Sequence, residues 1–174
     1  IEHSEINRLT HLDETRRSYQ RALFFLGHRP RTIAETRRFL SGKGFSPEAA
    51  ENAIARLIDQ RYLDDTVYAR LWIENRQRLR PRSVWALRFE LRAKGIAEGI
   101  IDTLLADVDD DQAAWTALRG RRNRWHHLPD QVFRQKVTGF LRSRGFSYET
   151  VNRAYHRARD RSRPTSPIDE PVDS

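Results

Sequence analysis

The residue types able to do chemistry are unevenly represented in this chain of 174 residues, which has no cysteine, six histidines and twenty-four acidic groups against thirty-two basic ones. Without cysteine there can be no disulfide, thiolate zinc site, iron–sulfur cluster or thiol nucleophile. His126-His127 is the only histidine cluster. Adjacent residues point to different faces of a helix, and no spaced carboxylates complete a four-ligand set, so these read as solvated loop histidines. Asp64-Asp65 and Asp109-Asp110-Asp111 have the composition of a divalent-ion site such as a nuclease needs. Both stand just before an amphipathic helical segment, where a cap and a partner for the helix dipole are wanted, and capping is the better reading. There is no glycine-rich phosphate loop, no Ser–His–Asp pattern and no nucleophile elbow. A non-enzymatic protein without metal or other cofactor is expected.

What remains is cationic, because twenty-nine of the basic residues are arginine. They gather at three places: His28-Arg29-Pro30-Arg31; Arg76, Arg78, Arg80 and Arg82; and Arg119, Arg121, Arg122 and Arg124. Arg88, Arg92, Arg134, Lys136 and Arg142 follow nearby. The planar guanidinium fork grips phosphate or carboxylate at two points. Formal net charge is +8, and residues 16–163 carry thirty-one basic against seventeen acidic groups, so the middle of the chain is more basic than the whole. Such a body attracts a polyanion: nucleic acid, an acidic protein surface or an anionic membrane. The alternative is a merely solvated face in an arginine-rich composition. Trp85 and Trp125 flank these clusters, with packing beneath arginine stems favoured over stacking on bases.

The elements that must position these arginines are set by a repeat. Leu40-x-x-Lys43-Gly44-Phe45, Leu91-x-x-Lys94-Gly95-Ile96 and Leu141-x-x-Arg144-Gly145-Phe146 recur at spacings of 51 and 50 residues. Each reads as a helix end, with glycine in the left-handed conformation, a cation at the negative end of the dipole, and the following apolar residue folded back on the leucine. Amphipathic segments precede each motif, capped by Thr32 with Glu35, by Ser83 and by Asp130. Further helices follow behind Ser46-Pro47-Glu48 and Ser147-Tyr148-Glu149. Leading helices are marked by Tyr19, Ala22 and Leu23, by Tyr68, Leu71 and Trp72, and by Ala114, Trp115 and Leu118. No segment alternates with period two. The fold class expected is all-α, an elongated curved array of three tandem three-helix repeats at residues 14–62, 63–108 and 109–162. Residues 1–13 form an N-terminal arm or short helix and 163–174 a disordered acidic tail. Stacking should align the arginine junctions into one ridge. No run approaches the ~20 apolar residues of a membrane span, and no signal peptide is evident. A cytoplasmic, monomeric protein is expected, and the absence of methionine suggests a true start upstream or removed.

Tyr62-Leu63-Asp64-Asp65-x-x-Tyr68-Ala69-x-x-Trp72-Ile73, with Arg82-Ser83 and then Glu90-Leu91-Arg92-Ala93-Lys94-Gly95-Ile96, resembles the central signature of the RecX family of bacterial recombination regulators. The likeness runs from about residue 16 to 160. It implies three tandem three-helix repeats and a regulator that binds the RecA–DNA filament and inhibits RecA strand exchange and ATPase activity, within recombination, DNA repair and the SOS response. One departure is Val84-Trp85-Ala86-Leu87, where the family usually has a glycine.

Two functions are therefore set against each other. In the first, Arg76, Arg78, Arg80, Arg82, Arg88 and Arg92, then Arg119, Arg121, Arg122 and Arg124, with Arg31, face the RecA filament. In the second, the chain is a non-enzymatic module binding single-stranded or duplex DNA directly and without sequence preference, because its middle helices carry arginine with few amide side chains. An adaptor for another acidic partner is the residual option.

Overall fold

The computed structural model describes residues 2–160, with side chains from residue 5. The acidic tail expected at 163–174 lies outside the described residues. Among the described residues there are nine α-helices and no strand: α1 (Glu2–Leu26), α2 (Ile33–Gly42), α3 (Pro47–Asp59), α4 (Asp65–Leu79), α5 (Val84–Ala93), α6 (Glu98–Leu105), α7 (Asp110–Trp125), α8 (Asp130–Arg142) and α9 (Tyr148–Arg159). No helix of the described residues is long and apolar enough to cross a membrane. The residues expected as an N-terminal arm are continuous with the first leading helix, and α1 runs unbroken for 25 residues.

The chain divides into two compact units. One comprises the residues up to Leu71 together with Leu91–Ile101, and the other Trp72–Glu90 together with the residues from Asp102 on. In the first, Ala22, Leu40, Ala53, Ile54, Leu57 and Leu63 form a buried core between α1, α2 and α3. In the second, Ala114, Trp115, Leu118, Phe133, Val137, Leu141 and Phe146 do the same for α7, α8 and α9, closed by Val151 and Tyr155.

The three glycine motifs end their helices as the sequence predicts. Gly44, Gly95 and Gly145 have φ of 85°, 79° and 89°. Phe45, Ile96 and Phe146 donate their N–H to the carbonyls of Leu40, Leu91 and Leu141 at 3.3, 3.1 and 3.3 Å, the six-residue bond of a Schellman turn. Caps supply the opposite ends. Thr32 and Glu35 form a capping box, Ser83 Oγ accepts from Ala86 N at 3.1 Å, and Ser46 and Ser147 cap α3 and α9. Asp130, by contrast, is not a cap. Pro129 holds the N-cap position without a side-chain bond, and Asp130 accepts the Tyr155 hydroxyl at 2.6 Å and pairs with Arg159 at 3.0 Å. A carboxylate one residue into the helix points along its flank, where α9 offers both a hydroxyl and a cation.

A second use of the glycines appears within each unit. In the first, the turn after α5 lies against the start of α2, and a Cβ on Gly95 would stand 2.5 Å from Ala34 Cβ. In the second, the turn after α8 lies against the start of α5, and a Cβ on Gly145 would meet Ser83 Oγ at 2.6 Å and Ala86 Cβ at 2.8 Å. Gly44 has open space around the same position. Gly44→Ala should therefore cost only the left-handed backbone penalty, about 1 kcal/mol. Gly145→Ala adds an overpacking cost of about 1–3 kcal/mol. Urea unfolding of the two variants should rank Gly145→Ala clearly below Gly44→Ala; equal midpoints would disprove the close approach.

Candidate functional site

Each docked turn is also a polar joint, and the two joints are built at equivalent positions of the repeat. In the first unit, Glu35 accepts from Thr32 N at 3.1 Å as half of the capping box. With its N–H taken, Thr32 reaches the incoming turn through its hydroxyl, which donates to the Lys94 carbonyl at 2.9 Å. Glu35 also receives Lys94 Nζ at 3.2 Å and Arg29 at 3.4 Å. Burial works most strongly against its ionisation, but the Thr32 N–H, Lys94 and Arg29 outweigh it and hold the carboxyl below its ordinary value.

In the second unit the residue equivalent to Glu35 is Ala86. No carboxylate occupies the Ser83 N–H, so it donates directly to the Arg144 carbonyl at 3.1 Å. The counterparts of Arg29 and Lys94 are Arg80 and Arg144, and the acid that neutralises their equivalents is missing. Arg144 is depressed below its ordinary value, first by burial and then by the charges of Arg80, Arg121 and Arg82. Its Nε is buried without a hydrogen-bond acceptor.

An open cleft of about 400 Å³ adjoins this joint, lined by Arg78, Arg119, Arg121, Arg124 and Arg144, with Leu79, Pro81, Ala117 and Phe140 supplying apolar wall. The guanidinium carbons of Arg144 and Arg121 lie 4.1 and 4.5 Å from the centre of the Phe140 ring. Trp125 packs edge-on to the same ring at 5.7 Å. The electron-rich faces of these rings let like charges gather with partial compensation. Among the described residues, no carboxylate pairs with Arg78, Arg80, Arg121, Arg124 or Arg144.

The other arginines singled out in the sequence do different work. Arg76 stacks 4.6 Å over Trp72 and binds Glu90 at 2.9 Å, and Arg82 pairs with the same Glu90 at 2.9 Å. Arg88 is held by Asp102 at 2.6 Å and Arg92 by Glu98. Arg122 turns away from the cleft and donates to the Ala158 carbonyl at 3.0 Å. Arg31, in the first unit, lies 4.0 Å over Phe25. Of the arginines around residues 76–82 and 119–124, some clamp the helices and some line the cleft. Arg144 was visible in the sequence only as a helix-end cation. Comparing equivalent positions of the repeat, Glu35 against Ala86, is the signal that would have picked it out.

The acidic clusters are caps, in a more elaborate way than local sequence suggests. Asp64 caps α4 through Val67 N at 3.0 Å, and Asp109 caps α7 through Asp111 N and Gln112 N. The next residue in each case reaches a different helix: Asp65 accepts from Ile33 N at 2.9 Å and Asp110 from Val84 N at 2.7 Å. Trp85 also departs from expectation. It is 68% exposed rather than packed under arginine, and stacks on Phe89, itself 65% exposed, with ring centres 6.0 Å apart. Its inner edge rests on Gly145, whose missing side chain leaves room for the ring.

The described residues thus build a chain of three-helix repeats with an arginine-lined cleft in the second unit. Residues 19–57, 64–105 and 109–155 match in turn the first, second and third three-helix domains of RecX. The chain belongs to the RecX family. It is 34% identical over 140 residues to the regulatory protein RecX of Prosthecochloris aestuarii, covering 79% of this chain and 91% of that one. It is 30% identical over 148 residues to that of Lactobacillus johnsonii, covering 83% of this chain but 55% of that longer relative. The crystal structure of RecX from Lactobacillus salivarius shares the fold, with a TM-score of 0.73 at 22% identity over 84% of this chain and 97% of that one.

Burial raises the Asp110 carboxyl above its ordinary value, against the pull of the Val84 N–H and with repulsion from Asp111 and Asp109. The folded state therefore holds this proton more tightly than the unfolded chain. The stability it contributes is full below the ordinary carboxylate range and is lost as pH rises through the raised value. Asp110→Asn keeps the acceptor without the charge. It should be at least as stable as the parent at pH 7 and should flatten that part of the pH profile, while Asp110→Ala should lose about 1 kcal/mol with the cap. Urea unfolding across the acid range checks both; an Asn variant less stable than the Ala variant would contradict the assignment.

Proposed function

We propose that this protein binds the RecA–DNA filament and restrains it, lowering RecA strand exchange and ATPase activity in the cytoplasm, without chemistry of its own. The carrying observation is membership of the RecX family of regulatory proteins across all three repeats. The arginine cleft beside Ala86 supports the reading, because uncompensated guanidiniums in a half-buried setting favour a large anionic partner. Regulation by holding requires no catalytic residue: a protein that binds one state of a filament better than another shifts its population by that difference in affinity.

The sorting of arginines yields a test. Arg121→Glu with Arg124→Glu places acid in the cleft without breaking any ion pair, and should reduce co-sedimentation with RecA filaments and inhibition of RecA ATPase by tenfold or more at unchanged helicity. Arg76→Glu breaks the contact with Glu90 and should instead appear first as lower thermal stability. A double variant that inhibits as well as the parent would remove the cleft from the filament contact.

A further inference from the structure

The first helix carries an apolar seam, half of which is left open to solvent. We infer that residues 5–16 of α1 form the interface of a homodimer, pairing antiparallel with the same residues of a second copy. The pairing itself does not depend on the filament reading.

Glu5, Leu9, Leu12, Arg16, Tyr19, Leu23 and Leu26 are spaced alternately by four and three residues, the interval that keeps side chains along one line of a helix facing a neighbour. The second half of this seam is used inside the unit. Tyr19, Leu23 and Leu26 pack against the core between α1, α2 and α3, and Arg56 lies 4.1 Å over the Tyr19 ring. The helix is last fastened at Glu14, whose carboxylate accepts from Ser46 N at 2.7 Å and Ser46 Oγ at 2.9 Å where α3 begins. Residues 5–13 are exposed throughout, Leu9 by 63% and Leu12 by 60%, with Ile6 beside them. The helix nonetheless continues through this stretch. So short an overhang gains little from propensity alone and needs an apolar partner.

Charge selects that partner. From Glu5 to Arg16 the spacings are four, three and four, the same from either end, while the two terminal charges are opposite. Laid antiparallel on a second copy, each Leu9 meets a Leu12 and each Glu5 meets an Arg16, giving two leucine layers closed at both ends by an ion pair. Laid parallel, Glu5 would face Glu5 and Arg16 would face Arg16, which disfavours both ends. Among the described residues neither Glu5 nor Arg16 has an ion-pair partner, whereas Asp13 is held by Arg17 at 4.0 Å within the helix. A purely acidic or purely basic partner would satisfy one end only; the same chain satisfies both. Two leucine layers make a small interface, so the dimer is weak and the expected monomer is its dissociated form. Against a target with repeated sites, such a dimer would make the second copy's contact intramolecular.

The full chain, with no RecA present, is followed by sedimentation equilibrium from micromolar to millimolar concentration. Its mass should rise from one copy towards two. Glu5→Arg and Arg16→Glu each turn both end pairs into like charges and should raise the dissociation constant about tenfold or more. The double variant Glu5→Arg/Arg16→Glu exchanges the charges and should return to within about threefold of the parent. Because the chain has no cysteine, orientation can be read directly: Glu5→Cys mixed with Arg16→Cys should form disulfide-linked dimers on mild oxidation more readily than either variant alone. All these positions are exposed, and circular dichroism confirms that helicity is kept. The mass of a single copy at every concentration would overturn the inference, whether the seam is then left to another protein or covered from within the chain. Single variants that associate as tightly as the parent, a double variant as weak as the single ones, or Glu5→Cys linking to itself as readily as in the mixture would overturn it equally.

Discussion

One backbone constraint organises the arrangement: a middle helix that ends in a left-handed glycine, with that same glycine pressed against the first turn of another middle helix. The turn needs φ near +80° and the docking needs no Cβ, two separate reasons for glycine that coincide at Gly95 and Gly145 but not at Gly44, which has only the first. Docking places the carbonyl of the residue before the glycine within reach of the neighbouring N-cap, so a helix C-terminus, rich in unsatisfied acceptors, meets an N-terminus, rich in unsatisfied donors. The bonds from Thr32 to Lys94 and from Ser83 to Arg144 are the result. Asp65 and Asp110 complete the same N-termini from a third helix in each unit.

From this geometry a single side chain decides the electrostatics. The residue three positions after the N-cap faces both the docked turn and the basic loop before the helix. Glu35 there closes the capping box and satisfies two cations at once. With Ala86 there, the hydrogen bond is replaced backbone to backbone at no loss of donors, but the charge is not replaced. A single difference between equivalent positions thus separates a self-neutralised joint from a cationic one.

The features legible in the sequence were those whose cause is local. The glycine turns, the serine and threonine caps and the three-helix grouping follow from spacings of a few residues, and the family signature around Tyr62–Ile96 reinforces them. The features that were not legible depend on a partner distant in sequence. Asp130 looks like a cap until Tyr155 and Arg159 claim it from α9. Trp85 reads as packed beneath arginine stems until Gly145 is seen to hold its edge and leave its face in solvent. The arginines divide according to whether a carboxylate or carbonyl lies across from them, as Glu90 does for Arg76 and Arg82 and Ala158 does for Arg122. Periodicity along a helix cannot report that.

Pairing, rather than net charge, sorts these arginines. Much of the arginine here is structural, laid over aromatic rings as Arg31 is on Phe25, Arg157 on Trp115 and Arg159 on Phe133. Stacking of this kind tolerates crowding because the guanidinium is weakly hydrated and planar, and because the ring face offsets part of its charge. It also explains how Arg121 and Arg144 can share Phe140 without a counterion. A lysine in either place would need water around its ammonium group and would be driven out of the wall. The chain's preference for arginine over lysine is thus more than a compositional habit at this cleft: it is the condition under which a cluster of like charges can be held in place without a counterion.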